Sequence, residues 1–161
     1  PNLIASFEKG DKRLDGTIAY VTISGSLRAD KRFPYNKKFA KAHSLHANTG
    51  NNFPIYRYAD ILLMKAECHV RMNNPSAGKP FIDAVRQRAG LNALAANPTL
   101  NDIYNERGFE LTWEGHRRQD MIRFGKFLEA RGLTAAAQPN RLLFPIPTAA
   151  LNANPLLKQN P

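Results

Sequence analysis

The sequence lacks most of the features that would announce a chemistry. It has one cysteine, Cys68, in 161 residues, so no internal disulfide can form. That thiol sits in an apolar, helix-like run and reads as a buried, inert side chain. Its neighbour His69 is no base for it, because residues i and i+1 of a helix do not face each other. The histidines are His43, His46, His69 and His116. They show no His-x-x-x-His spacing, and no Cys-x-x-Cys occurs, so no metal site is expected. His43 and His46, in a polar stretch, read as solvated loop residues. No run approaches the ~18 consecutive apolar residues of a membrane helix. The chain does not begin with Met, and no basic–apolar–small leader pattern stands at its start.

Basic charge, by contrast, is abundant. The formal net charge is +10 and the pI about 10.1, on an ordinary globular background of 43% apolar and 22% charged residues. A chain of this length can bury a core as one domain. The densest basic stretch, "RADKRFPYNKKFAK", holds Arg28, Lys31, Arg32, Lys37, Lys38 and Lys41 among Phe33, Tyr35 and Phe39. Interleaved cations and rings can bind nucleic acid. Without a helix-turn-helix, zinc-finger or ribonucleoprotein signature, the stretch reads instead as a solvated loop or strand with snorkelling lysines, and no nucleic-acid partner is expected.

Hydrophobic period divides the chain into segments. Residues 1–52 are loop-rich: "SFEKGDKRLDG" reads as a loop, "TIAYVTI" as a short strand, and "HSLHANTGNN" as a polar connection. Residues 53–125 form a helical core. One helix runs from about Tyr56 to Met72, with Ala59, Leu62, Leu63, Ala66 and Val70 as its stripe. After the turn "NNPSAG", "KPFIDAVRQRAG" (79–90) makes a second, striped by Phe81, Ile82, Val85 and Ala89 and stopped by Gly90. A third starts near Asn101 or Asp102 and runs unbroken to about Phe124. Residues 126–161 combine a helix at "KFLEARG", an extended "RLLFPIP", and one or two turns at "TAALNAN" capped by Thr148.

The third helix, "NERGFELTWEGHRRQDMIRFG" (105–125), is both charged and greasy. Helical spacing pairs Glu114 with Arg117 and Arg118, Arg117 with Asp120, and Asp120 with Arg123. Glu106 and Glu110 are like charges one turn apart, so they want cations from elsewhere; Arg86 and Arg88 are natural partners, with Arg107 if it turns back. The expected result is a partly desolvated structural ion network of Arg86, Arg88, Glu106, Arg107, Glu110, Glu114, Arg117, Asp120 and Arg123. Gly108 and Gly115, each costing about 1 kcal/mol in a helix relative to Ala, suggest close approach of another backbone. Glu110 and Glu114 also resemble the paired carboxylates of a glycosidase. Flanking arginines, however, depress carboxyl pKa values, and a general acid needs a raised one. No catalytic residue is assigned.

The ordered blocks "RYADILLMKAE", "AVRQRAGL", "ERGFELTWEGHRRQDMIRFG", "LLFPIP" and "NPLLKQNP" resemble the C-terminal region of the SusD/RagB family. Glu106, Arg107, Glu110, Leu111, Glu114, Gly115, Arg117, Asp120, Arg123 and Gly125 match its long motif. "SFEKGDKR" resembles its Phe-x-x-Gly-Asp-x-Arg stretch. Phe124 and Trp113 depart from the residues common there, without affecting the expected fold.

The resemblance implies a mainly all-α, SusD-like fold with tetratricopeptide-like helix pairs and long irregular loops. Residues 1–161 would be the C-terminal part of a longer protein, with residues 56–72 and 79–89 as one helix pair. It further implies a nutrient-binding lipoprotein on the outer-membrane surface of Bacteroidota-type bacteria. Such a protein is not an enzyme and needs no cofactor. It passes oligosaccharides, or in some cases peptides, to a TonB-dependent transporter, and touches the membrane only through an N-terminal lipid anchor absent here. The alternative is a helical-repeat scaffold that binds a protein or peptide and no glycan. The resemblance transfers no ligand motif. By chemistry alone, Tyr20, Phe33, Tyr35 and Tyr56 are the aromatic candidates for a sugar platform.

Overall fold

A computed structural model describes residues 3–22, 32–39, 52, 54–131 and 134–160, without the side chains of 21, 22 and 32–35. The fold is all-α in class. It divides into two compact units, 2–117 and 118–161.

In the first unit α1 (Leu3–Ser6) and α2 (Lys12–Thr17) lead into an antiparallel hairpin of β1 (Ile18–Thr22) and β2 (Arg32–Asn36). The register sets Ile18 opposite Asn36 and Thr22 opposite Arg32. "SFEKGDKRLDG" is therefore partly helical rather than a loop. The Asp11 carboxylate caps α2 by accepting from the Arg13 N–H at 2.9 Å, and α2 is too short to show an apolar period. The strand falls within "TIAYVTI". Of the polar connection 43–52, only residue 52 lies among the described residues.

Helices α3 (Tyr58–Arg71) and α4 (Pro75–Arg88) pack against each other. Pro75, expected in a turn, opens α4 instead, as suits a first-turn residue whose missing N–H leaves no bond unmade. An ideal Cβ on Gly78 would stand 2.9 Å from the Ala66 carbonyl oxygen, so only glycine lets the two backbones approach this closely. Leu63, Ala66, Ile82, Val85, Ala89, Ile103, Phe109 and Leu111 form the buried apolar core. Each large aliphatic side chain buried there stabilises by about 1.5–3 kcal/mol. Cys68 lies outside that core and is exposed. Two residues beyond Ala66, it is turned roughly 200° around the helix from the buried stripe.

The charged segment is not one helix. α5 (Leu100–Glu110) is capped by Thr99 rather than by Asn101 or Asp102. Asp102 completes a capping box, its carboxylate accepting from the Thr99 N–H at 2.8 Å while its own N–H reaches Thr99 Oγ1 at 3.2 Å. α5 cannot continue through Trp113 and Gly115, which take φ values of +68° and +82° that no right-handed helix contains, and Thr112 Oγ1 donates to the Gly108 carbonyl near its end. α6 (Arg117–Arg123) is a separate helix. Gly115 thus serves backbone conformation, with nothing near its would-be Cβ. Gly108 faces not another backbone but the Arg117 guanidinium, 2.8 Å from an ideal Cβ.

The second unit holds the rest of α6, a 3₁₀ turn (Pro139–Leu142) and α7 (Thr148–Ala153). No helix forms at "KFLEARG" in its described residues 126–131. Gly125 at φ +72° closes α6, with Lys126 N–H donating to the Met121 carbonyl at 2.7 Å and Gly125 N–H to Ile122 at 3.0 Å. That is a Schellman stop. The stretch "RLLFPIP" is extended only from Leu143, since Arg141 and Leu142 belong to the 3₁₀ turn. Thr148 is the first residue of α7, and Pro147 occupies the cap without a side-chain bond. Among the described residues, no helix is long and apolar enough to cross a membrane.

Candidate functional site

The chemistry of the first unit centres on α5, whose successive turns bury Glu106, Arg107 and Glu110, with Glu114 buried in the turn beyond. Buried carboxylates one turn apart repel, and each is met by cations from other segments. Glu106 receives Arg13 at 2.6 Å and Arg86 at 3.2 Å. Glu110 receives Arg88 at 2.6 Å, Arg57 at 3.0 Å and Arg13 at 3.3 Å. Glu114 receives Arg57 Nε at 2.7 Å, and its other oxygen pairs with Lys38. Arg107 turns away from the glutamates to Asp60, 2.8 Å away. The lattice closes outward with Asp11 on Arg13 at 2.7 Å and Glu8 on Arg86 at 2.7 Å.

Arg86, Arg88, Glu106, Arg107, Glu110 and Glu114 are therefore brought together. Arg117 is not on Glu114: its Nη1 donates to the Tyr104 carbonyl at 2.8 Å, and its guanidinium lies 3.8 Å from the Tyr104 ring centroid. Asp120 and Arg123 pair at 2.8 Å within the second unit. Periodicity missed Arg13, Lys38, Arg57 and Asp60, which lie far off in sequence. Their signal was positional, because all but Lys38 stand inside the blocks "SFEKGDKR" and "RYADILLMKAE".

The electrostatics of Glu114 run against its acting as a general acid. Burial alone would raise Glu114, but hydrogen bonds from Arg57 and Lys38 outweigh it and hold the carboxyl below its usual range. A general acid needs the reverse. For Lys38 burial lowers the pKa by more than Glu114 restores, so the pair favours the carboxylate more than the ammonium. Burial pushes Glu106 up, and Arg13 and Arg86 pull back only part of the rise. Arg13 is raised: burial opposes its charge, but Asp11 and Glu106 more than compensate.

Of the sequence-named aromatics, Tyr20, Phe33 and Tyr35 belong to the β1–β2 hairpin and Tyr56 precedes α3. Tyr20 on β1 is 42% exposed and Tyr56, before α3, 74%. Phe33 and Tyr35 lie opposite Val21 and Ala19 in the ladder, whereas Tyr20 lies opposite Pro34; the Phe33 and Tyr35 side chains are outside the described atoms. Among the described residues, no group of three or more His, Cys, Asp or Glu side chains is placed to hold a metal ion. His43 and His46 lie outside them.

The SusD family model matches residues 5–140, a stretch that contains the whole lattice. The chain belongs to the SusD family. It is similar to a SusD-like protein of Formosa agariphila, 33% identical over 92% of this chain and 32% of that protein. It is also 28% identical to the starch-binding protein SusD of Bacteroides thetaiotaomicron, over 74% of this chain and 22% of that one. Among solved structures, the surface glycan-binding protein A from Bacteroides uniformis aligns with a TM-score of 0.80 at 28% identity, covering 98% of this chain and 39% of its own. The chain thus spans about a third or less of the curated SusD relatives it matches.

Proposed function

We propose that this chain is the scaffold-bearing part of a surface glycan-binding protein, which captures oligosaccharides and hands them to a TonB-dependent outer-membrane transporter. The observation that carries this reading is SusD-family membership across most of the chain, alongside relatives described as starch-binding and surface glycan-binding. The protein is a binder rather than an enzyme, since the acidic residues a hydrolase would use are neutralised in the lattice. It works at the outer-membrane surface, held by an N-terminal lipid. The lattice residues keep the scaffold rigid, and ligand contacts fall to exposed side chains such as Tyr20 and Tyr56.

Glycan arrays with the full-length protein, together with affinity capture from outer membranes, test the reading. Binding to an oligosaccharide and co-recovery of a TonB-dependent transporter are expected; recovery of neither overturns it. One observation favours a peptide- or protein-binding scaffold instead. Tyr58 and Ile61 on α3, one turn apart, and Met72 at its C-terminal cap are exposed at 77%, 42% and 65%. Capture of a peptide in place of any glycan decides for that alternative.

A further inference from the structure

The second unit contains an open cavity of about 500 Å³, within the ~300–1,000 Å³ usual for small-ligand sites. Arg118, Phe127, Arg141, Phe144, Gln159 and Asn160 line it. The Arg118 guanidinium stands 4.6 Å from the Phe127 ring centroid and 4.4 Å from that of Phe144. Its Nη2 donates to the carbonyls of Arg141 at 3.2 Å and Leu142 at 3.4 Å. Arg118 therefore covers one face of Phe144. The ring is nonetheless 75% exposed, which leaves its other face open.

The wall is held in place from behind. Gln159 grips Ile146 twice, accepting from its N–H at 2.8 Å and donating to its carbonyl at 3.0 Å. Asn160 Nδ2 donates to the Phe144 carbonyl at 2.7 Å. These bonds fix the backbone carrying the ring, so little ordering remains for a ligand to impose. Polar capacity is left over: among the described residues, the Arg141 guanidinium, the Asn140 amide and Asn160 Oδ1 make no hydrogen bond, and no Asp or Glu lines the cavity. The unit as a whole is basic, with Arg118, Arg123, Lys126, Arg131, Arg141 and Lys158 against Asp120 and Glu129.

An open phenyl face suits the C–H face of a pyranose. The free Asn140 amide and Asn160 Oδ1 suit its hydroxyl rim. A guanidinium with no protein carboxylate suits an acidic substituent, which it can bind by two parallel hydrogen bonds. We propose that this cavity is a subsite for a uronate residue of an acidic glycan, with Phe144 as the platform and Arg141 as the carboxylate partner. The proposal rests on the glycan-binding reading above and narrows its ligand class.

Calorimetric titration of the full-length protein with trigalacturonate, and with its carboxyl-reduced neutral counterpart, tests it. The wild type is expected to prefer the uronate by about tenfold or more. Arg141→Ala should erase that preference and leave the neutral sugar unaffected, whereas Phe144→Ala should weaken both about tenfold. Circular dichroism melting checks that each variant folds; Arg141 is exposed, so its variant decides the matter even where Phe144→Ala does not fold. Trigalacturonate binding unchanged in Arg141→Ala, or absent in the wild type while neutral glycans bind, overturns the subsite and leaves the broader glycan reading standing. Silence toward every glycan overturns both.

Discussion

Arg13 reaches Glu106 at 2.6 Å across 93 residues of sequence, and neither side chain is more than 8% exposed. The contact ties the start of the chain to the middle of α5 through one guanidinium, which also serves Asp11 and Glu110. A buried ion with several partners is expensive to orphan, whatever the net worth of the intact cluster.

Replacing that guanidinium with an apolar chain of similar length should therefore be severe. Arg13→Met is expected to destabilise the protein by about 3–5 kcal/mol, read from urea denaturation. A loss of under ~1 kcal/mol would place Arg13 among ordinary surface ion pairs.

Asp60 and Arg107 make a second test. Asp60 has no exposed surface, and the pair is 2.8 Å apart. Asp60→Ala alone should cost about 3–5 kcal/mol. The double variant Asp60→Ala/Arg107→Ala should cost less than the sum of the singles, with a coupling of about 0.5–3 kcal/mol. Strict additivity in the cycle would mean that the two groups do not share their energy.

Stability should fall with acid through Glu114. Its folded carboxyl is held below the ordinary value, so the unfolded chain takes up the proton first. The contribution is thus full above the usual carboxylate pKa of about 4.3 and is lost as pH drops through the folded value. Glu106 is raised and acts oppositely: its contribution is full below the usual value and lost as pH rises through the folded one. Unfolding free energies measured from about pH 7 to about pH 3 should show Glu114→Gln flattening the acid decline and Glu106→Gln steepening it. A profile unchanged by Glu114→Gln would contradict the assignment.

Gly108 and Arg117 should be coupled through space. A Cβ at 108 would crowd the Arg117 guanidinium at 2.8 Å, prising it from Tyr104. Gly108→Ala should consequently fail to stabilise the wild type despite the better helix propensity of alanine. In an Arg117→Ala background the same change should stabilise by about 1 kcal/mol. Thermal melts of the four proteins in this cycle provide the check.

Much of the architecture was written locally. The apolar stripes of α3 and α4 appear at helical spacing in the sequence, and their buried members Ala59, Leu63, Ala66, Ile82 and Val85 lie where that spacing puts them. Helix stops are local too: Asn73, Gly90 and Gly125 each take positive φ just beyond α3, α4 and α6, because a reversal there needs a residue tolerant of left-handed backbone. The all-α class followed from the resemblance of the ordered blocks to the SusD/RagB family. Tertiary structure decided the rest. It broke 105–125 at Trp113, a residue no propensity would choose for φ +68°. It sent Arg117 to Tyr104 instead of Glu114, and drew Arg13, Lys38 and Arg57 onto Glu106, Glu110 and Glu114. Periodicity reports neighbours within a turn or two of helix, whereas the partner of a buried charge is whichever opposite charge the fold carries into the same dry space. That choice is made between segments, and no local pattern records it.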